Sequence, residues 1–426
     1  MNQRQLLIDS FHAAVAAADP LGIVAAFLPA PPPGRTLVVG AGKAAASMAR
    51  AVELAWPHDA PLEGVVVTRY AHGMPTEHIR VIEAGHPVPD AAGEGAAAEI
   101  LAQVRALTPD DRLIVLVSGG GSSLLSLPVA AVPMADLKAV TKALLHSGAP
   151  ITQMNIVRKH LSQIQGGRLG AACRAPVTAL IISDVTGDDP SAIASGPTCS
   201  DASTYQDALD ILGRYVPGAP ASVLAHLQAG VHGAVDETPK PGSAALAHVR
   251  NTVIATAHQS LQAGAEFFRQ RGIAPVVLGD TVTGEASEVA KVYAALVREI
   301  RDHQQPFRPP LALISGGECT VTLRPGNEAG RGGRCAEFLL SLTLELGGMP
   351  DVYALAADTD GIDGTEDNAG AVLMPDTPMR AAALGISAAE MLAGNDGYSY
   401  FSALGDLVVT GPTRTNVNDY RVILIL

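Results

Sequence analysis

Aromatic side chains are scarce: 4% of 426 residues, with a single Trp. Hydrophobic residues still make up 48% of the chain, so the core must be built mainly from Ala, Val, Leu and Ile. Such cores suit sheets covered by Ala-rich helices, and this composition excludes disorder. Cysteine is also rare. Cys173, Cys199, Cys319 and Cys335 form no C-x-x-C pair and have the spacing of neither a zinc site nor a disulfide framework. They read as free thiols in a reducing cytosol, which implies a cytoplasmic protein. Positive charge is in deficit: the net charge is −13. A nucleic-acid partner, which needs a basic face, is thereby excluded. Long apolar runs are missing too. Nothing approaches the roughly 18 residues of a membrane helix. The Ala-rich stretch 11–30 is preceded by Asp9 and broken by Asp19-Pro20, and reads as two short amphipathic helices rather than a signal peptide.

What is present is a series of strand-length apolar runs separated by helical stretches. They are Leu37–Val39, Val65–Val67, Leu113–Val117, Ala179–Ile182, Val253–Ala255, Pro275–Leu278, Leu311–Ile314, Val352–Leu355, Leu407–Val409 and Val422–Leu426. The pattern predicts an α/β fold. Residues 230–250, rich in Gly, Pro and polar groups, read as a linker, placing one domain over 1–240 and a second over 241–426. A short echo crosses that boundary: LIVLVSGGGSS at 113–123 and LALISGGECT at 311–320.

Many runs end directly in Gly, Ser, Thr or Asp, where ligands bind in open α/β sheets. After the first run come Gly40-Ala41-Gly42-Lys43, a tight strand-to-helix turn with a cation at the helix start. It matches the dinucleotide-binding pattern, but the next strand ends Val67-Thr68-Arg69 and lacks the acid that would hold a ribose. Ser118-Gly119-Gly120-Gly121-Ser122-Ser123 reads as a nest of backbone N–H groups and hydroxyls for phosphate. Asp184, Asp188 and Asp189 follow another strand; Asp184 and Asp189 are the favoured Mg²⁺ ligands or proton acceptors, with Asp188 expected to cap the following helix. Further candidates are Glu318, the arginines Arg331 and Arg334 in a glycine-rich loop, the acidic strand end Asp358, Asp360 and Asp363, and Asn416 before the last strand. Arg158-Lys159-His160 reads equally well as a solvated basic face.

Ten of these segments, in order from about residue 35 to the end, resemble the glycerate 2-kinase family, whose C-terminal part is the MOFRL domain. They are VVGAGKAA, VVVTRYAHG, EAGHPVPD, LVSGGGSSLLSLP, NIVRKHLSQIQGGRL, ISDVTGDDPSAIASGPT, ISGGE, GRGGR, AADTDGIDG and TGPTRTNVND. The resemblance implies two α/β domains, the first Rossmann-like and the second MOFRL-type, each with a mostly parallel sheet flanked by helices, and an active site in the cleft between them. It implies ATP and Mg²⁺ as cofactors and phosphorylation of D-glycerate at its 2-hydroxyl. Lys43 and Arg334, or Arg331, match the family's active-site cations. Expected roles are catalysis by Lys43, Arg334, Asp184 and Asp189, nucleotide binding by Gly40, Gly42 and Ser118–Ser123, and substrate binding by Arg331, Glu318 and Asn416. Where the family often reads G-G-R-N-Q-E, this chain has Gly332-Gly333-Arg334-Cys335-Ala336-Glu337. Relatives are also labelled hydroxypyruvate reductases, so an NAD(P)H-dependent reductase is the alternative. A homodimer is one open state of assembly.

Overall fold

The computed structural model describes residues 2–323 and 330–426. The chain forms two compact units. Pro20–Ile254 make one; the residues up to Asp19 join Ala255–Leu426 in the other.

The Pro20–Ile254 unit is built on strands β1 (Thr36–Ala41), β2 (Leu62–Arg69), β3 (Ile79–Ala84), β4 (Arg112–Val117), β5 (Val177–Ile182) and β6 (Val249–Ala255). Their order is β3-β2-β1-β4-β5-β6. β1 to β5 pair in parallel. Every residue of β1 is buried, as expected of a parallel strand covered on both faces. The chain winds outward from β1 to β3, returns to β4, and winds the other way. The reversal opens a crevice beyond the carboxyl ends of β1 and β4, where α/β sheets bind ligands. Register decides what lies there: Ala41 pairs with Val117, so Gly42 and Ser118 leave the sheet side by side.

The other unit contains β7 (Ala274–Gly279), β8 (Leu311–Ser315), β9 (Val352–Asp358), β10 (Gly370–Leu373), β11 (Leu407–Val408) and β12 (Asp419–Ile425), ordered β11-β10-β9-β12-β8-β7. β7, β8, β9 and β11 run the same way, with β10 and β12 inserted antiparallel. Helices Ala286–His303 and Arg334–Leu346 cover one face, burying Phe338, Leu339 and Val297 against Leu313 and Ile423. Helices Gln3–Ala16 and Ala257–Arg269 cover the other, burying Leu7, Phe11 and Phe268 against Ile314 and Val422.

These units depart from a division at residue 240 in two ways. Residues 241–254 remain with the first unit because β6 extends its sheet, and Val177 N donates to His248 O at 3.0 Å. The N-terminal helix belongs to the second unit because its Leu6, Leu7, Phe11 and Ala14 stripe is buried in that unit's core. Among the described residues no single helix is long and apolar enough to cross a membrane.

Candidate active site

In the Pro20–Ile254 unit the two glycine loops are laced together beyond β1 and β4. Lys43 N donates to Gly119 O at 2.8 Å, Ala44 N to Ser118 Oγ at 3.0 Å, and Ser118 N to Ala41 O at 3.2 Å. Gly42 has φ +139°, and a Cβ there would lie 2.1 Å from Ser118 Oγ, so only glycine lets the loops approach this closely. Ser118 is fully buried and its hydroxyl serves this lacing. After Gly120 the chain makes a helix of only four residues, Gly121–Leu124. Its two hydroxyls have protein partners: Ser123 Oγ donates to Gly120 O at 3.1 Å, and Ser122 Oγ lies 2.8 Å from Ser195 Oγ.

A pocket of about 230 Å³ opens beside this turn, lined by His86, Ser122, Ser123, Asn155, Arg158 and Asp184 among others. Burial pushes the His86 imidazole down to about 4, and the positive charges of Lys43 and Arg69 push the same way. His86 is therefore neutral at neutral pH. Asp184, expected as metal ligand or base, lines the pocket. Asp189 is not among the residues lining it; its carboxylate accepts from Ser191 N and Ser191 Oγ, both at 2.9 Å. Asp188 takes φ +53° at the bend. Among the described residues no group of three or more His, Cys, Asp or Glu is arranged to hold a metal.

The run Arg158-Lys159-His160 divides. Lys159 Nζ reaches Asp201 at 3.4 Å, and His160 Nε2 lies 3.0 Å from Glu237 Oε1. Arg158 instead lines the pocket and donates to Asn155 Oδ1 at 3.2 Å. A solvated face does not describe Arg158, which with Asn155 and His86 lines the pocket. The available signal was the i, i+3 spacing of Asn155 and Arg158, which puts both on one side of helix Ile151–His160.

In the other unit the ends of β8 and β9 and the start of β12 carry a dense charge cluster. Asp358 and Asp419 are direct partners across the sheet. The Arg334 guanidinium meets Asp358 at 2.7 Å, Asp419 at 2.9 Å and Glu318 at 3.1 Å. Burial would lower its pKa, but Asp419, Asp358 and Glu318 hold it well above the ordinary arginine value. Arg421 joins Asp419 at 2.5 Å. Asp363 accepts from Cys335 N at 3.0 Å and Ala336 N at 2.8 Å, a carboxylate at the start of helix Arg334–Leu346. Burial pushes its carboxyl up to about 7 against the opposing pull of those two N–H groups. A Cβ at Gly333 would lie 2.2 Å from Asp363 Oδ1, which explains the glycine before Arg334. Cys335 and Ala336, standing where the family often has amides, contribute backbone N–H groups to Asp363 and bury their side chains in the core.

The two candidate arginines have different surroundings. Arg331 is exposed, bonds Glu366 at 3.1 and 2.5 Å, and stacks 4.3 Å from the Tyr398 ring centroid. Asn416 is buried, and its Oδ1 accepts from Asn418 N at 3.3 Å, within a loop that Thr359 Oγ1 ties to Asn418 O.

Two family models match the chain: a domain of unknown function (DUF4147) over residues 6–228, and the MOFRL family over residues 311–419. A protein of Agrobacterium vitis, provisionally named hydroxypyruvate reductase, is 50% identical over 426 residues, spanning 100% of this chain and 95% of that protein. Glycerate 2-kinase of Pyrococcus horikoshii is 38% identical, spanning 92% of this chain and 88% of that protein. The crystal structure of glycerate kinase from Thermotoga maritima superposes with a TM-score of 0.88 at 35% identity, covering 100% of this chain and 99% of that one.

Proposed function

The chain belongs to the glycerate 2-kinase family with a C-terminal MOFRL domain, and on that premise we propose that it transfers the γ-phosphoryl group of ATP to the 2-hydroxyl of D-glycerate, giving 2-phosphoglycerate. The observation that carries this reading is the pair of laced glycine loops with Lys43 beside a small pocket that holds several polar side chains, at a sheet whose β2 ends in Thr68-Arg69 without an acid. That end suits phosphate better than the ribose of a nicotinamide dinucleotide.

Phosphoryl transfer asks the protein for positioning and charge neutralisation. Lys43 is assigned to the transferring phosphoryl group, whose charge it meets at the start of the helix after β1. The peptide groups of Gly119–Ser123 approach the phosphates. Mg²⁺ usually takes one or two protein carboxylates and fills its other positions with phosphate and water. Asp184, a hard oxygen donor in the pocket lining, fits that requirement and would hold the ion, which would neutralise phosphate charge. Arg334, already compensated by Glu318, Asp358 and Asp419, is assigned to organising those carboxylates rather than trapping a further anion.

The test is a pair of assays on the purified chain: D-glycerate with MgATP, and hydroxypyruvate with NADH. ADP release and a product that enolase converts directly are expected in the first. NADH oxidation without ATP turnover would overturn the reading in favour of a reductase.

A further inference from the structure

Three consecutive cations on one helix meet different surroundings. Lys159 and His160 face carboxylates, Asp201 and Glu237. Arg158 faces the pocket, and among the described residues its guanidinium bonds only the neutral Asn155 Oδ1. Burial lowers its pKa, and among the described residues no carboxylate is seen to raise it. Arg158 is half-buried, and a cation partly withdrawn from water without a counter-charge is costly, a cost that an anion entering the pocket would relieve.

The surroundings hold this arginine in place. Asn155 Oδ1 accepts from both Arg158 and Ser195 Oγ, the latter at 3.3 Å, and Ser195 Oγ lies 2.8 Å from Ser122 Oγ. Ala194 and Ser195 are buried with φ of +49° and +56°, sparsely populated values for residues with a Cβ. Backbone strain of this kind persists only where the surrounding structure over-determines it. The remaining guanidinium donors thus share one pocket with two serine hydroxyls, a neutral imidazole and the Asp184 carboxylate assigned above to Mg²⁺. At about 230 Å³ that pocket is smaller than the roughly 300–1,000 Å³ of drug-sized ligand sites. It suits a small oxyanion bearing hydroxyls, not a whole nucleotide.

We propose that Arg158 anchors the carboxylate of the small 2-hydroxy acid through its planar fork, with Ser122, Ser123 and His86 facing the acid's hydroxyls. The proposal rests on the kinase reading above. Carboxylate and terminal phosphate are both oxyanions, so the test has an arm for each.

D-glycerate and ADP are titrated separately into wild type and Arg158→Ala by calorimetry, with folding checked by circular dichroism. D-glycerate affinity should fall at least about 30-fold, as for a truncated partner of a buried charge pair, while ADP affinity stays within about twofold. Arg158→Lys, which keeps the charge but loses the fork, should fall between wild type and Ala. If the Ala variant does not fold, Arg158→Gln carries the same comparison. Unchanged D-glycerate affinity in a folded variant overturns the proposal, as does a loss that falls on ADP. Binding needs no turnover, so the two readings fail separately. Arg158-dependent D-glycerate binding in a protein without kinase activity supports the anchor and sinks the kinase. Kinase activity whose D-glycerate KM ignores Arg158→Ala sinks the anchor alone. A wild type that neither binds nor phosphorylates D-glycerate sinks both.

Discussion

Ser118-Gly119-Gly120 and Ser315-Gly316-Gly317 end apolar strands with the same three residues, yet they come to serve different ends. β4 has parallel neighbours, so the loop after β1 leaves the sheet beside it and takes the Ser118 hydroxyl; the chain then turns into a pocket whose arginine, among the described residues, bonds only Asn155. β8 borders the antiparallel β12, which places Arg421 opposite Ser315. Arg421 is buried, donates to Gly316 O at 3.1 Å and Gly317 O at 3.3 Å, and pairs with Asp419. The first strand end borders a pocket, and the proposed ligand sites lie there. The second consumes its charges and carbonyls internally. A short motif thus fixes a turn, and the direction of the neighbouring strand decides whether that turn binds or braces.

The contrast can be broken most strongly at Arg421. Arg421→Ala would leave Asp419 with Arg334 alone of its two arginine partners and would remove the donor to two buried carbonyls, with an expected loss of about 3–5 kcal/mol in urea unfolding. A loss below about 1 kcal/mol would mean that the second strand end is not a brace. Lys43→Ala tests the other side. It should cost at least about 10²-fold in kcat/KM, as expected for a lost transition-state contact. Its unfolding midpoint should move less than that of Arg421→Ala. Unchanged kinetics in a folded variant would remove Lys43 from the chemistry.

Stability against pH sharpens the comparison, because one titrating group in each unit drives it in opposite directions. His86 titrates at about 4 when folded, below its ordinary 6.5. The unfolded chain therefore binds more protons in that window, and the stability that neutral His86 confers is lost as pH falls through it. Asp363 titrates at about 7 when folded, above its ordinary 3.8. Here the folded chain holds the proton, so the contribution is complete at low pH and is lost as pH rises towards 7. The two slopes oppose each other in the wild type. Relative to the wild type, His86→Gln should tilt stability towards falling with pH and Asp363→Asn towards rising, each by roughly 1–3 kcal/mol between pH 4.5 and 6.5. Parallel urea-midpoint curves for all three proteins would contradict both assignments.

The smallest effect belongs to Asp189. Asp189→Ala removes two bonds to Ser191 and should cost about 1 kcal/mol, as for a lost cap, with the Mg²⁺ requirement unchanged. Asp184→Asn should raise that requirement. An Mg²⁺ titration that moves with Asp189 instead would exchange their roles.

All ten apolar runs read from the sequence fall on strands, while β3 and β10 escaped notice. β3, Ile79-Arg80-Val81-Ile82-Glu83-Ala84, is an edge strand only partly buried, so it tolerates charges that interrupt the apolar signal. β10 is four residues long and starts at Gly370. Lys43, Ser122, Ser123 and Asp184 were legible as site candidates because each follows the end of a buried strand. His86 and Arg158 were not. His86 lies in the loop after the edge strand, and Arg158 lies on a helix among cations that look alike in sequence.

The sequence by itself determined the α/β class, the strand ends and the family, since these depend on local periodicity and on motifs whose order along the chain can be read directly. Tertiary structure decided which cation received a counter-charge. Lys159 and Arg334 were given carboxylates by segments distant in sequence, Arg421 was given one by Asp419 on its own strand, and among the described residues Arg158 was given only an asparagine. It also decided which carboxylate faces a pocket and which ties a turn. Charge compensation is a short-range effect between side chains brought together by strand order and direction, and neither quantity is written in the residues flanking the charge.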